Sequence, residues 1–157
     1  MLDDDAAEAF TGFVREVGPR LKQSLIATLG GEVGREATAE ALAWAWENWS
    51  RLQAMQNPAG YLYRLGRNRG ISIFRRRPVF PPPVEAPSEG PWVEPGLPLA
   101  LAHLAEMQRV TVLLIHGFGW TYREVAEHLG VAVGTVQTHV ERGMSKLRSE
   151  LKVELHA

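Results

Sequence analysis

The chain has 157 residues, a formal net charge of −1 and 45% hydrophobic residues, which allows one or two small globular domains. It contains no cysteine, so disulfide bonds and thiolate metal sites are excluded and a reducing compartment is indicated. The acidic start does not resemble a signal peptide, and no apolar run approaches the roughly 20 residues of a membrane span, so we expect a cytoplasmic protein without a membrane partner.

The N-terminal half, residues 3–77, is predicted to be helical throughout. Gly18-Pro19 is expected to interrupt or kink the first helix, and the apolar pattern then continues to Gly30-Gly31. A third helix is predicted over roughly 35–49, with an inward face formed by Leu42, Ala45, Trp46 and Trp49. Helices joined by short connections pack as a bundle, so a small helical bundle is predicted here.

A fourth helix is predicted from Asn57-Pro58, with asparagine at the cap and proline in the first turn, to Arg77, where Pro78 ends it. Between residues 64 and 77 it carries six arginines and no acidic residue, and the helix adds the aromatic side chains of Tyr61, Tyr63 and Phe74. Arginines bind phosphates and aromatic faces stack on unpaired bases, so the pattern predicts a nucleic-acid surface. The alternative is a solubilising arginine face over an apolar core.

A change of composition then divides the chain. Eight of its ten prolines lie between Pro78 and Pro98, which predicts an extended, semi-rigid linker over about 78–97. The two flanking parts are therefore expected to move relative to each other. Trp92 is unusual for a passive spacer and indicates a docking residue in the linker.

The segment from Trp120 to Leu151 predicts two helices joined by a tight turn. Thr121 and Glu124 have the spacing of a capping box, and Gly130 is suited to the left-handed conformation that ends a helix. The second helix is expected to begin near residue 135, with an inner face of Val136, Val140, Leu147 and Leu151. Its predicted outer face consists of Thr135, Gln137, Thr138, His139, Glu141, Arg142 and Lys146.

This arrangement is typical of a helix-turn-helix that places a recognition helix in the DNA major groove, although packing hairpins share the geometry. The predicted fold class is therefore all-α, with an N-terminal helical bundle, a proline-rich linker and a C-terminal helical domain that contains the helix-turn-helix. The five histidines are scattered and no metal-binding or nucleotide-binding motif is present, so no enzyme activity, metal or cofactor is expected.

Two segments together resemble the extracytoplasmic-function sigma factors of the sigma-70 superfamily. They are GYLYRLGRNRGISIFRRR and EMQRVTVLLIHGFGWTYREVAEHLGVAVGTVQTHVERGMSKLR. The resemblance implies a region 2-like domain over 1–77, which binds core RNA polymerase and melts the minus-10 element, and a region 4-like domain over 98–157, which reads the minus-35 element. It implies promoter DNA and core polymerase as partners and leaves open an inhibitory anti-sigma factor.

The resemblance also assigns individual residues. Glu36 and Glu40 match the acidic positions of the polymerase-binding helix, while Ala39 stands where the family usually has glutamine. Capture of the minus-10 strand falls to Tyr61, Arg64, Arg67, Asn68, Arg75 and Arg76. Recognition of the minus-35 element is assigned to the outer face of the helix that begins near residue 135. There, Ala132 replaces a frequent capping serine and Glu141 adds an acid.

Two alternatives to a sigma factor stay open from the sequence. One is an autonomous helix-turn-helix regulator whose N-terminal bundle senses a signal or dimerises. The other is a degenerate sigma-like protein that acts mainly by protein–protein interaction. The aromatic and arginine side chains of the fourth helix favour a sigma factor, because a protein that binds only duplex DNA has no use for stacking platforms.

Overall fold

The computed structural model describes residues 4–76 and 96–156, with side chains up to 152, and within these ranges every regular element is helical. The all-α prediction is therefore confirmed. The chain divides into two compact units, one of residues 1–78 and 128–130 and the other of residues 79–127 and 131–157. Most of the predicted linker, with Trp92, lies outside the described residues. No helix in the described ranges is long and apolar enough to cross a membrane.

Four helices form the body of the first unit: α1 (Asp4–Leu29), α2 (Gly31–Glu47), α3 (Trp49–Gln53) and α4 (Pro58–Arg76). The second unit is built from α5 (Leu97–Ala102), α6 (Glu106–Val112), a π-helical turn (Leu113–Gly117), most of α7 (Tyr122–Leu129) and α8 (Val133–His156).

The chain is not interrupted at Gly18-Pro19, one of the two predicted outcomes, because α1 continues through Pro19 to Leu29. Proline disfavours a helical residue before it mainly through a clash with that residue's Cβ and N–H, and Gly18 has no Cβ. The helix also places Leu21 and Leu25 in the core, where both are fully buried. Burial of the residues after the proline therefore favours one continuous helix.

The inward face of α2 is a seam of alanines that includes the predicted Ala45 but not the predicted Trp46. Ala37, Ala41 and Ala45 are fully buried at four-residue spacing, which lets α2 approach its neighbours closely. Trp46, predicted to face inward, has 43% of its surface exposed, since it lies about 100° around the helix from Ala45. Trp49 is buried as predicted, but it begins the separate helix α3.

The predicted start of α4 is confirmed in detail. Helix α4 begins at Pro58, and Asn57 Oδ1 accepts a hydrogen bond from the Gly60 N–H at 3.0 Å. Two glycines then let α4 lie close to α1. A Cβ at Gly66 would be 2.7 Å from Leu25 Cδ1, and one at Gly70 would be 2.2 Å from Leu29 Cδ1. The cap fixes where α4 starts, and the glycines fix which face is buried.

The second unit is held by apolar contacts between short helices and α8. Ala100, Leu104, Val112 and Leu147 form one buried cluster. After the π-helical turn the chain reverses at Gly119, whose φ of +74° favours glycine. This reversal brings Trp120 into the interior just before α7 begins.

Candidate nucleic-acid interface

The turn between α7 and α8 has the hydrogen bonds of a helix-turn-helix. At the start of α7, Thr121 Oγ1 accepts a hydrogen bond from the Glu124 N–H at 3.1 Å. At its end, Gly130 has a φ of +70°, and the Val131 N–H donates to the Ala126 carbonyl at 3.0 Å. This six-to-one bond is a Schellman-type helix end, so the predicted cap and glycine stop are both confirmed.

Helix α8 separates a buried face from an exposed one. Val136, Val140 and Leu147 are buried as predicted, and α8 starts at Val133, two residues before the predicted position. The exposed candidates on this helix are Thr135, Gln137, Thr138, Glu141, Arg142 and Lys146. Thr138 and Glu141 share the centre of the exposed face, because residues three apart lie on the same side of a helix.

Two candidates on α8 have contacts that the sequence did not indicate. His139, predicted on the outer face, is instead half-buried at its edge, and its Nδ1 is buried without a hydrogen-bond partner among the described residues. Lys146 Nζ donates to the His103 carbonyl at 2.9 Å and so closes the C-terminal end of α5. The His103 side chain also contacts Glu150. Lys146 therefore has a structural role within the second unit, whatever its role toward DNA.

Four of the minus-10 candidates form one exposed stripe on α4. Tyr61, Arg64, Asn68 and Arg75 follow each other at intervals of three, four and seven residues, which places them on the same side of the helix. The three polar ones are exposed and Tyr61 is half-buried. We call this set the α4 stripe. It lies opposite the buried face of α4.

The remaining two minus-10 candidates lie on the flanks of the α4 stripe. Arg67 is half-buried, and Arg76 is exposed with its Nε 3.3 Å from the Ser72 carbonyl. The flank of Arg76 faces α2 across a groove of about 380 Å³, lined by Glu40, Leu65, Asn68, Arg69, Ser72 and Arg76. Arg69 Nη1 lies 3.8 Å from Glu40 Oε2 across this groove. The structure therefore brings a polymerase-binding candidate next to minus-10 candidates.

The acids of α2 lie on one face of the helix. Glu36 is exposed, and the Glu40 side chain has 39% of its surface exposed. Two further exposed acids, Glu32 and Glu47, share this face by helical spacing, and the sequence analysis missed both. The signal was present, since Glu32, Glu36 and Glu40 recur every four residues. We call these four residues the acidic stripe.

The Thr121 cap at the start of α7 can be tested directly. Replacing Thr121 with alanine removes the oxygen that accepts from the Glu124 N–H, which is expected to cost about 1 kcal/mol of local stability. Amides of α7 that exchange by local opening should then exchange about fivefold faster in native-state hydrogen exchange. The matched control is Thr121→Ser, which keeps the hydroxyl and should exchange as the parent does. Equal rates in the alanine variant would contradict the cap.

Comparisons with known proteins show that the chain is similar to sigma factors. Residues 97–147 match the family described as sigma-70, region 4. The RNA polymerase sigma-E factor of Streptomyces coelicolor is 29% identical over 119 residues, which is 71% of this chain and 67% of the relative. The sigma factor RpoE of Bartonella quintana, solved with the anti-sigma factor NepR, superposes with a TM-score of 0.67 at 25% identity, covering 93% of this chain and 98% of that one.

The chain belongs to the extracytoplasmic-function sigma factors of the sigma-70 family. A second solved structure, CnrH in complex with the cytosolic domain of CnrY, has the same fold. It superposes with a TM-score of 0.61 at 19% identity and covers 94% of this chain and 90% of its own. The protein is therefore a sigma factor, which binds core RNA polymerase and promoter DNA to start transcription. Sigma factors in general are not enzymes.

Proposed function

We propose that this sigma factor divides its work between residues 1–77 and 98–157. The first part binds core polymerase through the acidic stripe of α2 and holds the unpaired minus-10 strand along the α4 stripe. The second part reads duplex DNA at the minus-35 element with the exposed face of α8. No catalytic residue or cofactor enters this proposal. We expect the protein in the cytoplasm, together with the polymerase that it binds.

The observation that carries the proposal is the α4 stripe. Its exposed guanidinium groups suit the phosphates of a single strand, and Asn68 offers both a donor and an acceptor to a base edge. Tyr61 lies at the end of this stripe, where an aromatic ring can stack on an unpaired base. A repressor that binds only duplex DNA has no use for this combination on a helix outside its helix-turn-helix.

The acidic stripe of α2 suits a basic surface on the polymerase. Like charges across an interface cost several kcal/mol, so charge reversal on this face is expected to be severe. Reversing Glu36 and Glu40 to lysine together should weaken capture by core polymerase at least tenfold, roughly, without loss of helical content. A pull-down with core polymerase and far-ultraviolet circular dichroism measure the two quantities.

The matched control for the α2 variant reverses two exposed acids of α1, Glu8 and Glu16, which changes the net charge equally. This control should bind polymerase as the parent does. Equal capture of the α2 variant and the parent would place the polymerase surface elsewhere. Equal loss in both variants would mean that only overall charge matters.

Glu141 is the sharpest probe of the α8 face. It lies near the centre of the exposed face beside Thr138, and we therefore expect it to face the groove rather than the DNA backbone. A carboxylate there accepts a hydrogen bond from a cytosine amino group. Glu141→Gln should therefore weaken binding to the preferred minus-35 sequence by about tenfold and relax preference at one base pair. Holoenzyme binding to single-base promoter variants measures both effects.

Stronger binding by the Glu141→Gln variant, without a change in sequence preference, would reject this role of Glu141. If the carboxylate only repels phosphates, Glu141→Gln should strengthen binding to all sequences alike, and most at low salt. A suitable control is Glu150→Gln, on the same helix but turned toward His103 just after α5, which should leave sequence preference unchanged.

An anti-sigma partner also belongs to the proposal. Both solved neighbours were captured as complexes, RpoE with NepR and CnrH with CnrY. By this likeness we expect a protein that sequesters the present sigma factor. Affinity capture from its native cells, with and without competing core polymerase, should recover a partner that polymerase displaces. Capture of polymerase subunits alone would count against such a partner.

A further inference from the structure

We propose that Trp44 and Arg51 extend the strand-binding surface, forming with Tyr61 a stacking platform for one unpaired base. This inference rests on the proposed function and adds two residues to it. The Trp44 and Tyr61 ring centroids lie 5.2 Å apart with planes inclined at 41°. The Arg51 guanidinium carbon lies 5.9 Å from the Trp44 ring centroid. An arginine and two aromatic rings thus follow one another across three helices.

Local hydrogen bonds hold the platform in place. The Asn48 N–H and its Nδ2 group donate to the Trp44 carbonyl at 2.9 and 3.0 Å, which ends α2 just beyond this tryptophan. The turn that follows allows Arg51 of α3 to reach back over the ring. On the opposite side, the Asn57 cap fixes the first turn of α4 and so the position of Tyr61. Two independent helix ends therefore determine the geometry.

The platform keeps part of its surface open to a ligand. Trp44 and Tyr61 are both half-buried, and Arg51 is exposed. One side of each ring packs against the core cluster that contains the fully buried Leu52 and Leu62, and the rest of each ring stays open to a ligand. An arginine over a tryptophan contributes a cation–π contact, and a base is a comparable flat partner for the same ring.

The platform continues the α4 stripe rather than forming a separate site. Tyr61 belongs to both, and Arg64 follows it by one turn. A strand that lays its phosphates on the stripe would reach Tyr61 with its next bases. Arg51 then supplies a positive charge on the far side of the rings, where the next phosphate of that strand would lie. Single-strand surfaces commonly combine such alternating aromatic and cationic groups.

The test measures whether Trp44 senses a particular base. Holoenzyme is assembled on core polymerase with saturating sigma factor. It is then titrated with a labelled single-stranded oligonucleotide spanning the minus-10 region of a promoter mapped by run-off transcription. In a parallel series each nucleotide in turn is abasic. Trp44→Leu should weaken binding of the intact strand about tenfold, a typical loss for one stacked base, and Arg51→Gln less.

Base dependence identifies the contact. One abasic position should weaken the parent by the same factor yet leave Trp44→Leu unaffected, because the two changes remove one interaction. Trp44→Phe keeps a ring and should retain most of the affinity. The matched control is Trp46→Leu, two residues along α2 on the opposite side, where the ring packs on Phe10 at 5.0 Å. It should bind the oligonucleotide as the parent does.

Each remaining outcome counts against the platform. Parent-like binding by Trp44→Leu overturns it, as does a loss that persists at every abasic position, which would mean a general structural defect. Weaker capture of polymerase without base dependence would make Trp44 a polymerase contact instead. A parent holoenzyme that does not bind the oligonucleotide would overturn the proposed function together with this inference, whereas failure of Trp44→Leu alone leaves that function standing.

Discussion

Replacing Gly34 with alanine is expected to lower the free energy of unfolding by about 3 kcal/mol, the upper end of the usual cost of overpacking. A Cβ at Gly34 would lie 2.6 Å from Ile26 Cα, 2.7 Å from Ile26 N and 2.8 Å from the Leu25 carbonyl oxygen. All three are backbone atoms of α1, so no side-chain rotation relieves the clash. Helices α1 and α2 must separate, and the alanine seam between them loosens.

Denaturant unfolding of the full chain, followed by tryptophan fluorescence, measures this loss. Three of the five tryptophans, Trp44, Trp46 and Trp49, belong to the first unit and report on it. The matched control is Gly12→Ala in α1, where a Cβ would meet no atom within 4 Å. Alanine is the better helix former there, so the control should gain up to about 1 kcal/mol. A Gly34 variant as stable as the parent would contradict the close crossing.

Replacing Arg64 and Arg67 together with alanine is expected to reduce promoter opening by at least tenfold, roughly, since two contacts to the single strand are lost. Arg64 is exposed on the α4 stripe and Arg67 lies half-buried on its flank. Permanganate reactivity of unpaired thymines near the start site measures opening. Polymerase binding should be unchanged, because the acidic stripe is intact.

The control for this double variant removes two exposed charges from α1, Arg15 and Lys22, by replacement with alanine. Opening should then remain close to that of the parent. Normal permanganate reactivity in the α4 variant would show that the stripe does not hold the melted strand. A similar loss in both variants would attribute the effect to net charge alone.

Helix ends were the best-predicted features of this chain. The Asn57 cap, the Thr121 cap and the left-handed Gly130 are all found as expected. Each depends on a hydrogen bond or a backbone angle set within four residues, so the local sequence carries the whole signal. The two exposed helix faces followed for the same reason, because helical periodicity is also local.

Features that depend on neighbouring helices were predicted less well. Gly18-Pro19 carries a strong local break signal, yet burial of the residues after it favours a continuous helix. Trp46 is large and apolar and was expected inside, but the alanine seam needs small residues for close approach. A large apolar side chain is usually expected to be buried. The distance between two packed helices decides how large a side chain can lie between them.

In the candidate site, too, the contacts between helices were not predicted from the sequence. Residue types on α4 suggested a nucleic-acid surface, which stays a prediction, but they did not indicate which residues of other helices lie beside it. The Glu40–Arg69 pair and the Trp44–Tyr61 contact each join α2 to α4. Such contacts between helices depend on how the bundle packs, and no spacing along a single helix reports them. The platform containing Trp44 therefore became visible only in the folded bundle.

Run-off transcription tests the central claim most directly. Core RNA polymerase is incubated with genomic fragments, with and without the protein. The account predicts transcripts from a small set of start sites that appear only when the protein is present. Absence of any transcript above that of core polymerase alone, together with binding of the free protein to duplex fragments, would contradict it and favour an autonomous helix-turn-helix regulator.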